Sequence, residues 1–475
     1  MLMPMKAHPG IFRTYDIRGK YGREISKELA SQLAHAFLVL YPHVKNIAVA
    51  HDPASNSPLL AGALREVFLQ QGREVIDLGL APDPLFYFSL FFYGYDGGVM
   101  VSSSHVIEFS GFTLTVRKPG SPYVEDVVED DLEKIKELVL VDAKANDGRM
   151  RGSVTAFDPS KDYQEYVSSR IRFKRPLKIV FDCGNGAMGF LPERVFLSLG
   201  CEVVTLYGEF DGAYPNHIPD PYIEENLQAL KGTVLREHAD AGFAYDADGD
   251  RVALVDNKGR VVSGDLCLLM LALQAIEKKK GPVVHDMRVS QAFLDEMQER
   301  GVQTYFSVSH HNAIIRKLRE VQGVFGGEVT LHFLFPSDYY LCDDALFASL
   351  KLAEIVSSKE DFAAFLDALP RYQASPELFI ATPDNTKFRI IDGLVRYLKE
   401  HGYDVVDVDG ARIQFKNGWA LARAANTSPY IKCRFEGKTK EDLAAIEKES
   451  LGLFKKLGVP VEEKHYKELG LESTA

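Results

Sequence analysis

Three similar α/β domains followed by a smaller α+β module are the architecture this sequence predicts, on two observations. The first is a unit that recurs three times: a short apolar run ending in Asp, a helical segment, a glycine, then a second apolar run. The second is a change of texture near residue 370, after which short alternating strands replace that unit. Strand–helix–strand repeats of this kind build parallel sheets covered by helices on both faces.

The chain opens on Phe12-Arg13-Thr14-Tyr15-Asp16-Ile17-Arg18-Gly19, a compact cluster of basic and aromatic residues. It reads as a salt-bridged surface turn or as one wall of an anion site. A helix is predicted over about Ser26–Leu40. The three Asp-terminated strands are then Asn46–Asp52, Lys178–Asp182 and Pro282–Asp286. Helices follow at Pro58–Gln71, Phe190–Leu199 and Ser290–Arg300, and in the first of these Leu60, Leu64, Val67 and Phe68 fall on one face. Gly72, Gly200 and Gly301 stand where a helix C-cap is required. The second strands are Glu74–Asp77, Glu202–Thr205 and Thr304–Phe306. In the tail, Pro370–Arg389 is turn-rich and Ile390–Gly402 reads as a helix. Strands follow at Asp404–Val408, Ala411–Phe415 and Ile431–Phe435, then a helix over about Lys440–Leu457. That module is mostly antiparallel.

At 475 residues the chain is too long for one core, which agrees with four segments, 1–154, 155–257, 258–370 and 371–475. A net charge of -12 argues against a nucleic-acid or anionic-membrane surface, while leaving room for a local basic pocket. The five cysteines form no CxxC pair and sit mostly in apolar runs, so free buried thiols in a reducing compartment are expected. Residues Met1 to Gly10 lack an apolar signal core, and no stretch is long enough to span a bilayer. A cytoplasmic location is the expectation, and no feature names a protein partner.

Four loops carry candidate chemistry. In Gly242–Asp256 two apolar runs, read as paired strands, flank Asp246, Asp248 and Asp250 with Gly249 and Arg251 between them. Three alternating carboxylates repel unless a cation sits among them, and oxygen-only ligands suit a hard ion such as Mg²⁺ or Ca²⁺. An EF-hand does not fit, because Arg251 and Asn257 stand where its loop needs Gly and Glu. A solvated acidic hairpin is the other reading. Gly97–His105 is an apolar strand running into Ser102, Ser103, Ser104 and His105, either a Ser-rich turn or a nucleophile beside an imidazole. Gly326–His332 sets Glu328, Thr330 and His332 on one segment, which suits sugar hydroxyls or a strand edge. Arg423–Pro429 offers a guanidinium, the amide of Asn426 and the hydroxyl of Thr427 on a turn, the composition of a phosphate-gripping loop.

Together and in this order, these motifs resemble the α-D-phosphohexomutase family, specifically its phosphomannomutase/phosphoglucomutase branch. The Phe12–Gly19 cluster is similar to that family's opening signature, and the Asp246–Arg251 loop to its metal loop. Asp211–Pro221 followed by Glu225-Asn226-Leu227 is similar to a segment of the mannose/glucose branch. The resemblance covers nearly the whole chain and implies four domains around a central cleft, carrying in turn the phosphoserine loop, the metal, the sugar site and a phosphate site. It implies that Ser104 carries a phosphoryl group and joins Asp246, Asp248 and Asp250 in binding Mg²⁺, with Arg251 neutralising transferred charge. Glu328 and Thr330 then hold sugar hydroxyls, and Arg423, Asn426 and Thr427 the non-reacting phosphate. Tyr15, Arg18, Arg288, His310 and His332 match further cleft residues, and His105 or His332 would shuttle protons. The implied substrate is a phosphosugar, a hexose 1-phosphate exchanged with its 6-phosphate through a hexose bisphosphate that also serves as activator.

The sequence departs from the family pattern at named places. The serine loop lacks an Asn-Pro after His105 and has Thr113 where a Lys is usual, with Arg117 and Lys118 nearby. Leu331 stands for a Gly in the sugar loop, and Ala425 and Ser428 replace Ser and Glu in the phosphate loop. Besides an active mutase, a weak paralogue that binds metal and phosphosugar as a regulator or scaffold fits these changes, as does glucosamine phosphate as substrate.

Overall fold

The computed structural model describes residues 8–103, 108–146, 151–425 and 428–471. It separates into two compact units, one of residues 1–263 with 330–365, the other of residues 264–329 with 366–475.

The first unit holds two sheets of related order. In one, Asn46–His51 lies parallel between Glu74–Leu80 and Gly97–Ser102, and Phe109–Val116 returns antiparallel beside the latter. In the other, Lys178–Asp182 lies parallel between Glu202–Leu206 and Ala241–Tyr245, and Val252–Asp256 returns antiparallel. The repeated strand–helix–strand unit is therefore a right-sized crossover in each sheet, as the periodicity predicts. The third strand of each sheet runs straight into a motif loop, the serine loop after Ser102 and the acidic loop after Tyr245.

Helices Lys27–Leu40 and Ser57–Gln70 pack Leu33, Phe37, Leu60, Leu64 and Phe68 onto Val49, Val99, Val101 and Leu114. The first is capped by Ser26, whose hydroxyl accepts from Leu29 N at 3.2 Å. Gly72 and Gly200 adopt φ of 70° and 82°, the left-handed turn that ends each crossover helix. The recurring terminal Asp has a shared task. Asp52 and Asp182 are fully buried and accept from Ala54 N and Gly184 N, turning the chain at the strand end.

The second unit repeats the crossover, with Val283–Asp286 parallel between Thr304–Ser307 and Phe325–Gly327. Its helix Gln291–Glu299 is capped by Ser290, and Gly301 follows at φ 65°. The tail is an antiparallel sheet in which Tyr430–Gly437 pairs with Gly418–Ala424, which pairs with Ala411–Phe415, with Val405–Val406 at the edge. Helices Asp384–Glu400 and Lys440–Lys456 cover it, burying Leu394, Leu398, Leu451 and Phe454 against Ile413, Ile431 and Phe435.

Three expectations are corrected. Arg423 lies in a strand, Gly418–Ala424, that the pattern does not show because every position in it is buried and alanines alternate with larger residues. Residues 370–389 are not all turn, since Gln373–Ala374 and Leu378–Ala381 both pair with Tyr430–Gly437. The helix expected from Ile390 begins at Asp384, where a polar first turn hides it and Lys387 is buried on Asp384 and the Ser428 carbonyl. The Phe12–Gly19 cluster likewise ends in a strand, Ile17–Lys20, paired with Phe109–Val116. All five cysteines are free and buried, and among the described residues no helix is long and apolar enough to cross a membrane.

Candidate active site

In the first unit the strands Ala241–Tyr245 and Val252–Asp256 close on Asp246, Asp248 and Asp250, whose ligand oxygens lie within 4.8 Å of one another. Gly249 makes the turn at φ 87°, and a side chain there would collide with Met188 Sδ at 2.4 Å. Asp246 organises the loop by accepting from Gly249 N at 3.0 Å, Arg251 N at 3.1 Å and Arg251 Nε at 2.8 Å. Arg251 is pinned from the other side by Asp220 at 3.0 Å. Burial and the neighbouring Asp250 push Asp246 up to about 7, and burial and Asp246 push Asp248 to about 6. Asp248 Oδ1 and Asp250 Oδ1 are buried without a hydrogen-bond donor among the described residues. Buried carboxylate oxygens with no donor, packed among like charges, fit a hard divalent cation.

The serine strand reaches this loop directly. Ser102 donates to Asp248 Oδ2 at 2.7 Å, and Ser103 N donates to Asp52 Oδ2 at 2.6 Å. Ser104 and His105 lie outside the described residues. Arg18 stands opposite Gly111, which stands opposite Ser102, so one row across three strands carries a guanidinium toward the acidic loop. Gly111 lets the strands approach, since a Cβ there would meet the Ile17 carbonyl at 2.9 Å and the Ser102 carbonyl at 3.3 Å. Arg18 also pairs with Asp16 at 3.3 Å and opposes the upward shift of Asp248. Tyr15 is half-buried just before it. Arg117 and Lys118 do not serve the Thr113 position. Arg117 donates to Leu90 O at 2.6 Å and Lys118 pairs with Glu125 and Asp131, at the opposite end of that strand.

His332, half-buried, has Nδ1 3.3 Å from Asp343 Oδ2 and 3.9 Å from Asp250 Oδ2. Thr330 is also half-buried, and Leu331 between them adopts φ 79°, the conformation its glycine counterpart would take without strain.

In the second unit Glu328 and Arg288 are buried and paired at 3.2 Å, with Arg288 Nε donating to Asp286 at 2.6 Å. The C-terminal sheet grips the segment around Arg288. Arg412 donates to the carbonyls of Met287 at 2.7 Å and Val289 at 2.8 Å, and Arg434 donates to that of Arg288 at 3.0 Å. Glu436 receives Gln291 N at 2.7 Å and Trp419 Nε1 at 3.0 Å. His310 accepts from Asn312 N at 3.2 Å and so caps helix His311–Val321, its ring tilted against that of His311 with centroids 4.5 Å apart. Arg423 pairs with Asp409 at 3.2 Å. Asn426 and Thr427 lie outside the described residues.

Several of these residues were not singled out from sequence. Ser102 and Asp220 sit inside quoted motifs but carry no signal of their own. Asp83 has a signal, a carboxylate between two prolines. Its amide donates to the Asp248 carbonyl at 2.8 Å, and burial with Asp248, Asp250 and Asp246 nearby raises its pKa well above the usual range. Asp343 is visible only once the chain folds back on His332.

Comparison with known proteins bears on the whole chain. Phosphoglucomutase/phosphomannomutase alpha/beta/alpha domains I, II and III match residues 9–137, 161–259 and 263–372, and that family's C-terminal domain matches 359–452. A phosphomannomutase/phosphoglucomutase from Pseudomonas syringae pv. tomato is 32% identical over 442 residues, covering 92% of this chain and 93% of its own. A probable phosphoglucosamine mutase from Methanothermobacter thermautotrophicus is 30% identical over 453 residues, covering 94% and 97%. The crystal structure of a phosphoglucomutase/phosphomannomutase family protein from Burkholderia thailandensis matches with a TM-score of 0.87 at 30% identity, covering 96% of this chain and 99% of its own.

Proposed function

The chain belongs to the phosphoglucomutase/phosphomannomutase family and is a phosphohexomutase, and from that premise we propose that it interconverts the 1- and 6-phosphates of mannose or glucose through a phosphorylated Ser104. The observation that carries the reading is the 2.7 Å bond from Ser102 to Asp248, which ties the serine strand to the acidic loop. Ser104 follows Ser102 by two residues in the sequence.

Asp246, Asp248, Asp250 and the phosphorylated Ser104 are the residues that would hold Mg²⁺, which supplies counter-charge to the transferring group when bound. Arg251, immobilised by Asp246 and Asp220, adds a fixed cation whose orientation costs no reorganisation during transfer. Transfer forms a bond from phosphorus to the sugar hydroxyl oxygen and breaks the bond to Ser104. The hydroxyl proton leaves to a base, and the hexose bisphosphate then reorients and returns its other phosphate. His332, whose Nδ1 lies 3.3 Å from Asp343 Oδ2, is the base we assign to that step. Glu328 would accept sugar hydroxyls in either orientation, and Tyr15, Arg18, Arg288 and His310 keep the substrate-binding roles that the family resemblance implies. Arg423, Asn426 and Thr427 take the phosphate that does not react.

A coupled assay with mannose 1-phosphate or glucose 1-phosphate, Mg²⁺ and a hexose bisphosphate primer tests the proposal. Turnover lost in Ser104→Ala is expected, and wild-type turnover no higher than that of Ser104→Ala overturns it. Glucosamine 1-phosphate belongs in the same assay, since a phosphoglucosamine mutase stands among the relatives. Faster turnover of that sugar would move the substrate assignment without touching the mechanism.

A further inference from the structure

We propose that Lys432 is a second cation of the site for the non-transferred phosphate, an assignment that rests on the reading above and on the role it gives Arg423. The pairing of Gly418–Ala424 with Tyr430–Gly437 sets Lys432 directly opposite Arg423, so both side chains leave the sheet on one face. Lys432 Nζ lies 3.2 Å from Glu377 Oε2 and 4.9 Å from the centre of the Phe379 ring, which hold the ammonium extended with 26% of the side chain exposed. Arg423 is 7% exposed, and its Nε is buried without an acceptor among the described residues.

Two cations facing one another across adjacent strands repel, and a buried donor lacking an acceptor costs free energy. A phosphate dianion seated between them answers both, taking the Arg423 Nε–H and the Lys432 ammonium together. Burial lowers the Lys432 pKa against the pull of Glu377, and Arg288 and Arg423 lower it further, so both guanidinia act on the Lys432 ammonium. Ala425, next in the loop but one after Arg423, has no donor to give, and Lys432 brings one from the neighbouring strand.

The test compares full-length wild type, Lys432→Met and Lys432→Arg by calorimetric binding of mannose 6-phosphate and by steady-state turnover of mannose 1-phosphate. Lys432→Met should weaken binding and raise KM by about tenfold, the loss of one charge-assisted contact, with kcat falling far less. Lys432→Arg should recover most of that loss, while both variants melt near the wild-type temperature. Binding by Lys432→Met within about twofold of wild type overturns the assignment and leaves the mutase reading standing. Equal impairment of both variants with a lowered melting temperature also overturns it, by showing a structural role. Wild type that binds no hexose phosphate overturns the functional reading and the assignment together.

Discussion

At the scale of single residues, Leu331 shows how a motif position keeps its geometry after losing the residue that made it easy. Its φ of 79° costs a non-glycine residue about 1–2 kcal/mol, while its side chain is 4% exposed and contributes burial of similar size. Leu331→Ala forfeits the burial and keeps the strain, whereas Leu331→Gly removes both. We therefore expect Leu331→Gly to melt above Leu331→Ala, the reverse of the usual order, as read by chemical denaturation. The acidic loop makes a second prediction. Asp246 and Asp248 hold protons in the metal-free fold up to about pH 7 and about pH 6, well above the usual carboxylate value of 3.8. Their unfolded counterparts release those protons above the usual carboxylate value, so the contribution of these two groups to metal-free stability is greatest below about pH 4 and falls as pH rises toward 7. Melting temperature against pH in a chelator should decline over that range, and Mg²⁺ should remove the decline. A melting temperature that rises over the same range in chelator would contradict this account.

At the scale of elements, the parts legible in the sequence are those where one physical demand acts alone. The apolar runs ending in Asp were readable because Asp52 and Asp182 are buried and turn the chain at the strand end while Asp286 is buried on Arg288, and the helix stops because Gly72, Gly200 and Gly301 take left-handed angles. Gly200 has open space around it, so Gly200→Ala should cost about 1 kcal/mol from backbone strain alone. Gly249→Ala adds a collision with Met188 and should cost more, while also weakening Mg²⁺ activation. Other elements were hidden because two demands overlap. Helix Ala345–Ser357 is buried on nearly every side and so lacks a polar stripe, with Tyr245 OH reaching Ser349 at 2.8 Å behind the acidic loop's strand. The grip of Arg412 on Met287 and Val289 joins residues more than a hundred positions apart, and no local pattern announces it. Arg412→Met leaves two buried carbonyls without a donor and should destabilise the protein by about 1–3 kcal/mol per carbonyl, measured by urea unfolding.

At the scale of the whole molecule, one topological unit used repeatedly explains where the chemistry sits. In the first unit the third strand of each sheet delivers one motif loop, and in the second unit Phe325–Gly327 delivers Glu328 in the same way. The order of motifs in the sequence is thus the order of the sheets, which is why weak loops taken together identified the family. The proposed base and the proposed extra phosphate contact were not readable, because Asp343 and Lys432 would act through partners that only folding supplies. The chain keeps the acidic loop, Arg18 and Glu328 while Thr113 replaces a lysine, and Arg117 and Lys118 are bound elsewhere. The claim on which all of this rests is that Ser104 accepts and returns a phosphoryl group beside the three aspartates. Intact mass before and after incubation with a hexose bisphosphate and Mg²⁺ tests it most directly. Wild type should gain the mass of one phosphoryl group and lose it on addition of hexose phosphate, and Ser104→Ala should gain nothing. An unchanged wild-type mass, or an equal gain in Ser104→Ala, would contradict the account.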